Sequence, residues 1–145
     1  MPFATVYIHF VWSTKDRQPF LNSPELRKKV WEHIKENALQ KEIFIDTING
    51  YQEHCHCLIS LGIEQTMSKT MQLIKGESSF WINKNHLCER KFEWQDEYFA
   101  LSVSRSMVET VRNYIKKQEA HHKKDNFQHE YAQLVEKHSF LKSNG

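Results

Sequence analysis

The sequence predicts an α+β domain built on an antiparallel sheet, and three observations carry that expectation. Segments of period two and period 3.6 follow one another in the order strand, helix, strand, strand, helix, strand, helix. The two middle strands are close enough to form a hairpin, and that hairpin lies between two helices. The chain has 145 residues, 39% of them hydrophobic, which supports one core and is too little for two, so 1–145 is read as a single domain.

Val6, Ile8, Phe10 and Trp12 alternate with Thr5, Tyr7, His9 and Val11, the period of a strand buried on at least one face. A polar loop, STKDRQPFLNSP, follows. Ser23 is a good N-cap, Pro24 suits the first helical position, and Leu26, Val30, Ile34 and Ala38 recur every fourth residue, so a helix is expected over about 24–40. Residues 42–50, EIFIDTING, are rich in β-branched and aromatic residues and close on Asn49-Gly50, a turn signal leading into the next strand, EHCHCLIS. Met67, Met71, Ile74 and Trp81 then form one helical stripe between Gln65 and Asn83, with Gly76 inside it as a local weakness. Residues 98–103, YFALSV, make a strand with Phe99, Leu101 and Val103 on one face, and Ser104 is expected to cap a helix striped by Val108, Val111 and Ile115. The tail, about 126–145, is expected to hold a short helix over Tyr131 to His138. A hairpin between two helices that pack on one face of an antiparallel sheet is the split βαβ arrangement of ferredoxin-like and RRM-like folds.

No apolar run approaches the length of a membrane span, and the N-terminus lacks a basic region followed by a small-residue cleavage site. Three cysteines at spacings that suggest no disulfide framework agree with a reducing compartment, so a cytoplasmic protein without a membrane partner is expected. A net charge of +2 and a pI near 8.4 do not by themselves demand a nucleic-acid partner. Within 105–124, however, Arg105, Arg112, Lys116, Lys117, Lys123 and Lys124 stand against only Glu109 and Glu119, a stretch that is either a phosphate-attracting surface or a solvated helix face.

His54, Cys55, His56 and Cys57 occupy four consecutive positions. Side chains along a strand alternate faces, so the histidines project from one face, about 6–7 Å apart along the strand, and the cysteines from the other. One ion cannot collect all four, and the remaining cysteine, Cys88, has only His86 beside it, so a closed tetrahedral zinc site lacks its second ligand pair. Two readings remain. Either the histidines ligate a metal with the cysteines packed behind them as small apolar residues, or this is a buried strand whose histidines are satisfied by neighbours.

The last long helix contains VRNYIKKQEAHH, in which Tyr114 and Gln118 are four apart and lie beside the apolar stripe. Taken singly, each is an ordinary border residue of an amphipathic helix. Two imidazoles and a carboxamide oxygen together leave positions on a divalent cation for phosphate oxygens and water, a mix suited to magnesium or manganese. A tyrosine beside such an ion is a candidate nucleophile, because the cation or a base offsets a hydroxyl pKa of about 10. His121 and His122 are candidates for proton transfer or for a favourable charge at the helix end. Lys15, Arg17, Lys69, Lys75, Arg105 and Lys117 are candidate DNA-phosphate contacts or solvated side chains, and Trp12, Trp94 and Tyr98 either stack on an unpaired base or pack in the core.

The His-x-His strand, Tyr114 in YIKKQ, the His121-His122 pair and the early TKDRQPFL segment resemble the single-tyrosine HUH transposases of the smallest insertion sequences, the TnpA type, and their REP-associated relatives. Phe127 and Glu130 in NFQHE, Lys75-Gly76, and the series Trp94, Tyr98 and Ser102-Val103-Ser104 fit the same pattern, which spans nearly the whole chain. The resemblance implies an enzyme that binds single-stranded DNA beside a hairpin and cuts one strand with a divalent metal, Mg2+ or Mn2+. By position, it makes His54, His56 and Gln118 the metal ligands and Tyr114, on a C-terminal catalytic helix, the residue that forms a 5′-phosphotyrosine and releases a 3′-OH. It also implies a homodimer in which the tyrosine helix can complete either subunit's site. Two other readings use the same residues: a non-cleaving protein that binds structured DNA or RNA, and a domesticated HUH nuclease acting on chromosomal repeats.

Overall fold

The alternation read in the first strand divides the molecule into two faces. In the computed structural model, which describes residues 4–122 and 126–144, strand β1 (Val6–Ser13) sends Ile8, Phe10 and Trp12 into the main core and Tyr7, His9 and Val11 to the opposite side. It pairs antiparallel with β3 (His54–Leu61) and with β4 (Phe99–Val103), while β2 (Phe44–Tyr51) pairs antiparallel with β3. The sheet order β2-β3-β1-β4 is the expected split βαβ arrangement.

Helices α1 (Pro24–Gln40) and α2 (Met67–Lys84) cover one face. The α1 start follows its cap, since Ser23 Oγ accepts the Leu26 amide at 3.2 Å. Val30, Trp31, Ile34 and Ala38 pack with Met71, Ile74 and Ile82 on Phe10, Trp12, Cys55, Cys57 and Ile59. Cys55 and Cys57 are therefore core residues, and burial pushes their thiols up, away from the thiolate a zinc site needs. Gly76 is exposed, and a Cβ there would meet nothing within 4 Å, so the fold gives no steric reason for it.

The C-terminal elements cross the other face: α3 (Val108–Lys116), the single turn α4 (Gln118–His121) and α5 (Phe127–Asn144). Leu58, Val108 and Ile115 form a smaller core there, joined by Tyr7, Val103, Val111 and Tyr114. Helix α5 begins at Phe127, four residues before the expected tail helix, because Asn126 Oδ1 caps it by accepting the His129 amide at 2.8 Å. Ser104 opens a 3-10 turn, Arg105–Met107, and makes no side-chain cap, so its expected capping role is corrected. No described helix is long and apolar enough to cross a membrane.

The Asn49-Gly50 turn is also corrected. Strand β2 runs on to Tyr51, and the turn falls at 52–53. Asn49 instead serves α3: its Nδ2 donates to the Ile115 and Lys116 carbonyls at 3.1 and 3.2 Å, satisfying the helix end. Gly50 is required by close approach, since a Cβ there would lie 2.2 Å from the His54 carbonyl oxygen. Gly50→Ala is expected to lower stability by about 1–3 kcal/mol, the usual cost of forcing backbone apart, read as a drop in the urea midpoint. An unchanged midpoint contradicts the need for glycine.

Candidate active site

His54 and His56 are fully buried on the face covered by α3 to α5. Each ring is held from behind. Glu53 Oε1 lies 2.6 Å from His54 Nδ1, and His9 Nε2 lies 2.9 Å from His56 Nδ1. A carboxylate or imidazole at Nδ1 turns Nε2 inward, so that a cation taking the place of the hydrogen bonds to Gln118 and Glu130 would meet the two Nε2 lone pairs. Burial, reinforced by the neighbouring His56, lowers the His9 pKa to about 3. Burial likewise lowers that of His56 to about 4, with His54 adding to it, against the hydrogen bond to Glu130. His9 and His56 are thus neutral near pH 7, the state in which His56 can act as a ligand.

The opposing side chains come from a break in the last long helix. Lys117, with φ −94° and ψ 12°, separates α3 from α4, and Asn49 binds the carbonyls released just before it. Arg112 fixes α3 to the β2 bulge, where Nε and a terminal nitrogen donate to the two Asp46 oxygens at 2.8 and 2.9 Å. Arg27, itself only 3% exposed, grips Glu119 of α4 with two bonds of 2.7 and 2.8 Å. These anchors turn Gln118 inward, with its Oε1 3.0 Å from His54 Nε2 and 3.0 Å from His122 Nε2.

Helix α5 closes the cluster. Phe127 stacks on the His54 ring, centroids 4.0 Å apart at 8°. Glu130, 2% exposed, reaches His56 Nε2 at 3.1 Å, His122 Nε2 at 3.2 Å and His54 Nε2 at 3.4 Å through Oε1. Its Oε2 accepts from Gln118 Nε2 at 3.1 Å and from the Tyr114 hydroxyl. Burial acts to raise the Glu130 pKa, but hydrogen bonds from His122, His56 and Tyr114 outweigh it and hold the group well below the usual carboxylate range. Tyr114 is half-buried, its ring edge-on to His56 with centroids 5.6 Å apart, and His121 Nε2 lies 3.4 Å from Glu130 Oε2.

The structure thus brings together Tyr114, His54, His56, Gln118, His121 and His122 within one chain. It adds His9, Glu53 and Glu130, for which the sequence alone assigns no role. Glu130 is visible there as part of a resemblance, and His9 is hidden as one letter in an alternating strand. The donors fit a divalent cation. Ligands about 2.1 Å from one ion stand about 3 Å from their neighbours, which is the spacing between these nitrogens and oxygens.

The basic candidates do not converge. Lys75 donates to the carbonyls of Gln95, Asp96 and Glu97, so its ammonium holds that loop. Lys15 pairs with Glu93 at 3.0 Å, and Arg17 lies over the Phe127 and Tyr131 rings at 5.2 and 5.4 Å. Lys69, Arg105 and Lys117 are exposed, while Lys123 and Lys124 lie outside the described residues. Trp12 and Trp94 are buried edge to face in the core and are not free to stack on a base. An open cleft of about 420 Å3, lined by Arg17, Tyr98, Phe127 and Tyr131 among others, adjoins the His54 side.

His9→Leu removes the group behind His56 and is expected to weaken Mn2+ binding by about tenfold or more, as loss of an orienting partner does. His9→Gln, which keeps a polar partner, is expected to recover part of it in the same calorimetric titration. Equal affinity in all three proteins contradicts the orienting role.

Residues 3–118 match the model of the IS200-like transposases. The chain belongs to that family. Two solved structures share the transposase fold: a candidate transposase from Deinococcus radiodurans, at TM-score 0.65, 20% identity and coverage of 81% of this chain and 93% of that one, is the first. The second, a REP-associated tyrosine transposase bound to a REP hairpin, has TM-score 0.61, 17% identity and coverage of 84% and 72%. A curated sequence, RecBCD enzyme subunit RecB of Buchnera aphidicola subsp. Baizongia pistaciae, is 24% identical over 127 residues, or 81% of this chain. The chain spans only 11% of that protein's length.

Proposed function

We propose that the chain is a metal-dependent transposase that cleaves and rejoins single-stranded DNA near hairpin ends through a 5′-phosphotyrosine. The observation that carries this reading is the Tyr114 hydroxyl on Glu130, whose other oxygen faces both strand histidines. Nucleophile and ion-binding groups are thereby joined through one carboxylate.

His54, His56 and Gln118 would hold a divalent cation, Mg2+ or Mn2+, which would supply polarisation of the scissile phosphate and offset its developing charge. Tyr114 Oη attacks phosphorus, the bond from phosphorus to the 3′ oxygen breaks, and that oxygen leaves with a proton as a 3′-OH. Glu130 Oε2, which accepts the Tyr114 hydroxyl, and His121, whose side chain is 31% exposed, stand on the route by which the Tyr114 proton is passed to the leaving 3′ oxygen. Attack by another strand's 3′-OH on the phosphotyrosine reverses these steps and returns the proton to Tyr114. One phosphodiester replaces another, so no external energy source is consumed. Arg17 offers charge at the aromatic cleft, whose rings offer stacking surfaces, and exposed Lys69, Arg105 and Lys117 are candidate phosphate contacts elsewhere on the surface. The homodimer implied by the resemblance belongs to this reading, with each site furnished by its own chain's Tyr114.

The test is strand exchange. Purified protein, Mn2+ and two labelled single strands, one carrying a hairpin, are expected to give a recombinant strand without ATP. Binding of the hairpin with neither cut nor joined product supports the non-cleaving reading instead.

A further inference from the structure

The proposed function uses three protein ligands for a divalent cation. Resting on that metal-dependent reading, the geometry points to a five-donor site in which His122 and Glu130 join His54, His56 and Gln118, selecting a first-row transition cation over magnesium.

The donor atoms form one connected set. His54 Nε2 and His122 Nε2 each lie 3.0 Å from Gln118 Oε1. Glu130 Oε1 lies 3.1, 3.2 and 3.4 Å from His56, His122 and His54 Nε2. Among the described residues, His54, His122 and Glu130 offer ligand atoms that all lie within 4.8 Å of one another, and His56 borders that group through Glu130 Oε1. Separations of about 3 Å are the edges of an octahedron with bonds of about 2.1 Å. Gln118 Oε1 and Glu130 Oε1 only accept hydrogen bonds, and with Nδ1 of His54 and His56 engaged by Glu53 and His9, release of the Nε2 protons to solvent would leave lone pairs facing the same point. A cation satisfies all of these groups together.

The supporting groups are arranged as a metal centre requires. Glu53 backs His54, His9 backs His56, and Tyr51 stacks on His122 with centroids 5.3 Å apart at 17°. Gln118 and His122 stand four residues apart on one turn, closed by the His122 amide on the Gln118 carbonyl at 3.1 Å. Gln118 keeps Oε1 on the imidazoles because its Nε2 is engaged by Glu130 Oε2 at 3.1 Å. Three imidazoles and two oxygens suit manganese and its later neighbours, whereas magnesium prefers an all-oxygen, largely hydrated shell. Tyr114 and His121, the half-exposed members of the cluster, mark the side on which a phosphate reaches such an ion.

Calorimetric titration of metal-stripped protein with MnCl2, repeated in a large excess of MgCl2, tests the site without DNA. Mn2+ is expected to bind despite the Mg2+, and His122→Ala and Glu130→Gln are each expected to weaken it by about tenfold or more. X-ray absorption at the manganese edge on the wild-type protein is expected to count three imidazoles, a measurement that does not depend on how the variants fold. Two imidazoles, unaltered affinity in both variants, or displacement by Mg2+ overturns the five-donor centre. If that occurs while DNA is still transferred through Tyr114, the strand-transfer reading stands without it. Three imidazoles and weakened variants, with no transfer on any DNA, uphold the centre and remove the strand transfer.

Discussion

Tyr114→Phe abolishes covalent attachment of DNA to the protein and leaves DNA affinity within about twofold. The substitution deletes one oxygen, and the ring keeps its edge-on contacts with His9 and His56. What disappears is the nucleophile, for which no group of the cluster is a geometric substitute: His121 is the nearest half-exposed candidate, and its Nε2 faces Glu130. Glu130 also loses a donor, and since a hydrogen bond to a charged group contributes about 1.5–3 kcal/mol, a lower melting temperature accompanies the lost activity. Fluorescence anisotropy for binding and a denaturing gel for the adduct separate the two effects. An adduct formed by the phenylalanine variant at the wild-type rate removes Tyr114 from its role.

The second large effect is His56→Ala. It removes an inward nitrogen, leaves His9 without its buried partner and takes one bond from Glu130. Polarisation of a phosphate by a cation is worth several kcal/mol, so cleavage is expected to fall at least about a thousandfold, with Mn2+ affinity falling alongside it. Parallel loss in both assays supports a ligand role. Normal metal binding with lost cleavage makes His56 an acid–base group and leaves the ligation to others.

The fold was legible wherever a local pattern coincided with a packing need. Alternation in the first strand, the Ser23-Pro24 start of the first helix and the split of histidines from cysteines each follow from one element's own periodicity. Asn49-Gly50 misled because both residues answer to distant partners, Asn49 to the end of α3 and Gly50 to the His54 carbonyl. A turn propensity is a local statement, and tertiary contacts overrode it.

The site divides along the same line. His54 and His56 were legible from spacing, and Tyr114 with Gln118 from helical periodicity, although the helix breaks between them at Lys117. That break depends on Asn49, Arg27 and Glu119, none of which advertises a role in sequence. Glu130 and His9 reach the centre from elements 74 and 47 residues away from His56, a separation over which no period carries information. Lys75 shows the converse: a basic residue marked by a motif, whose ammonium the fold engages with three backbone carbonyls that no sequence pattern announces.

The most direct measurement mixes the metal-loaded protein with end-labelled single strands from the DNA flanking its gene and resolves the products on a denaturing gel beside Tyr114→Phe. A protein-linked band that needs both the metal and Tyr114, and that maps to Tyr114 by peptide mass, is the expected result. Hairpin binding without any linked band, with Mg2+ and Mn2+ and on both strands, contradicts strand transfer by this protein.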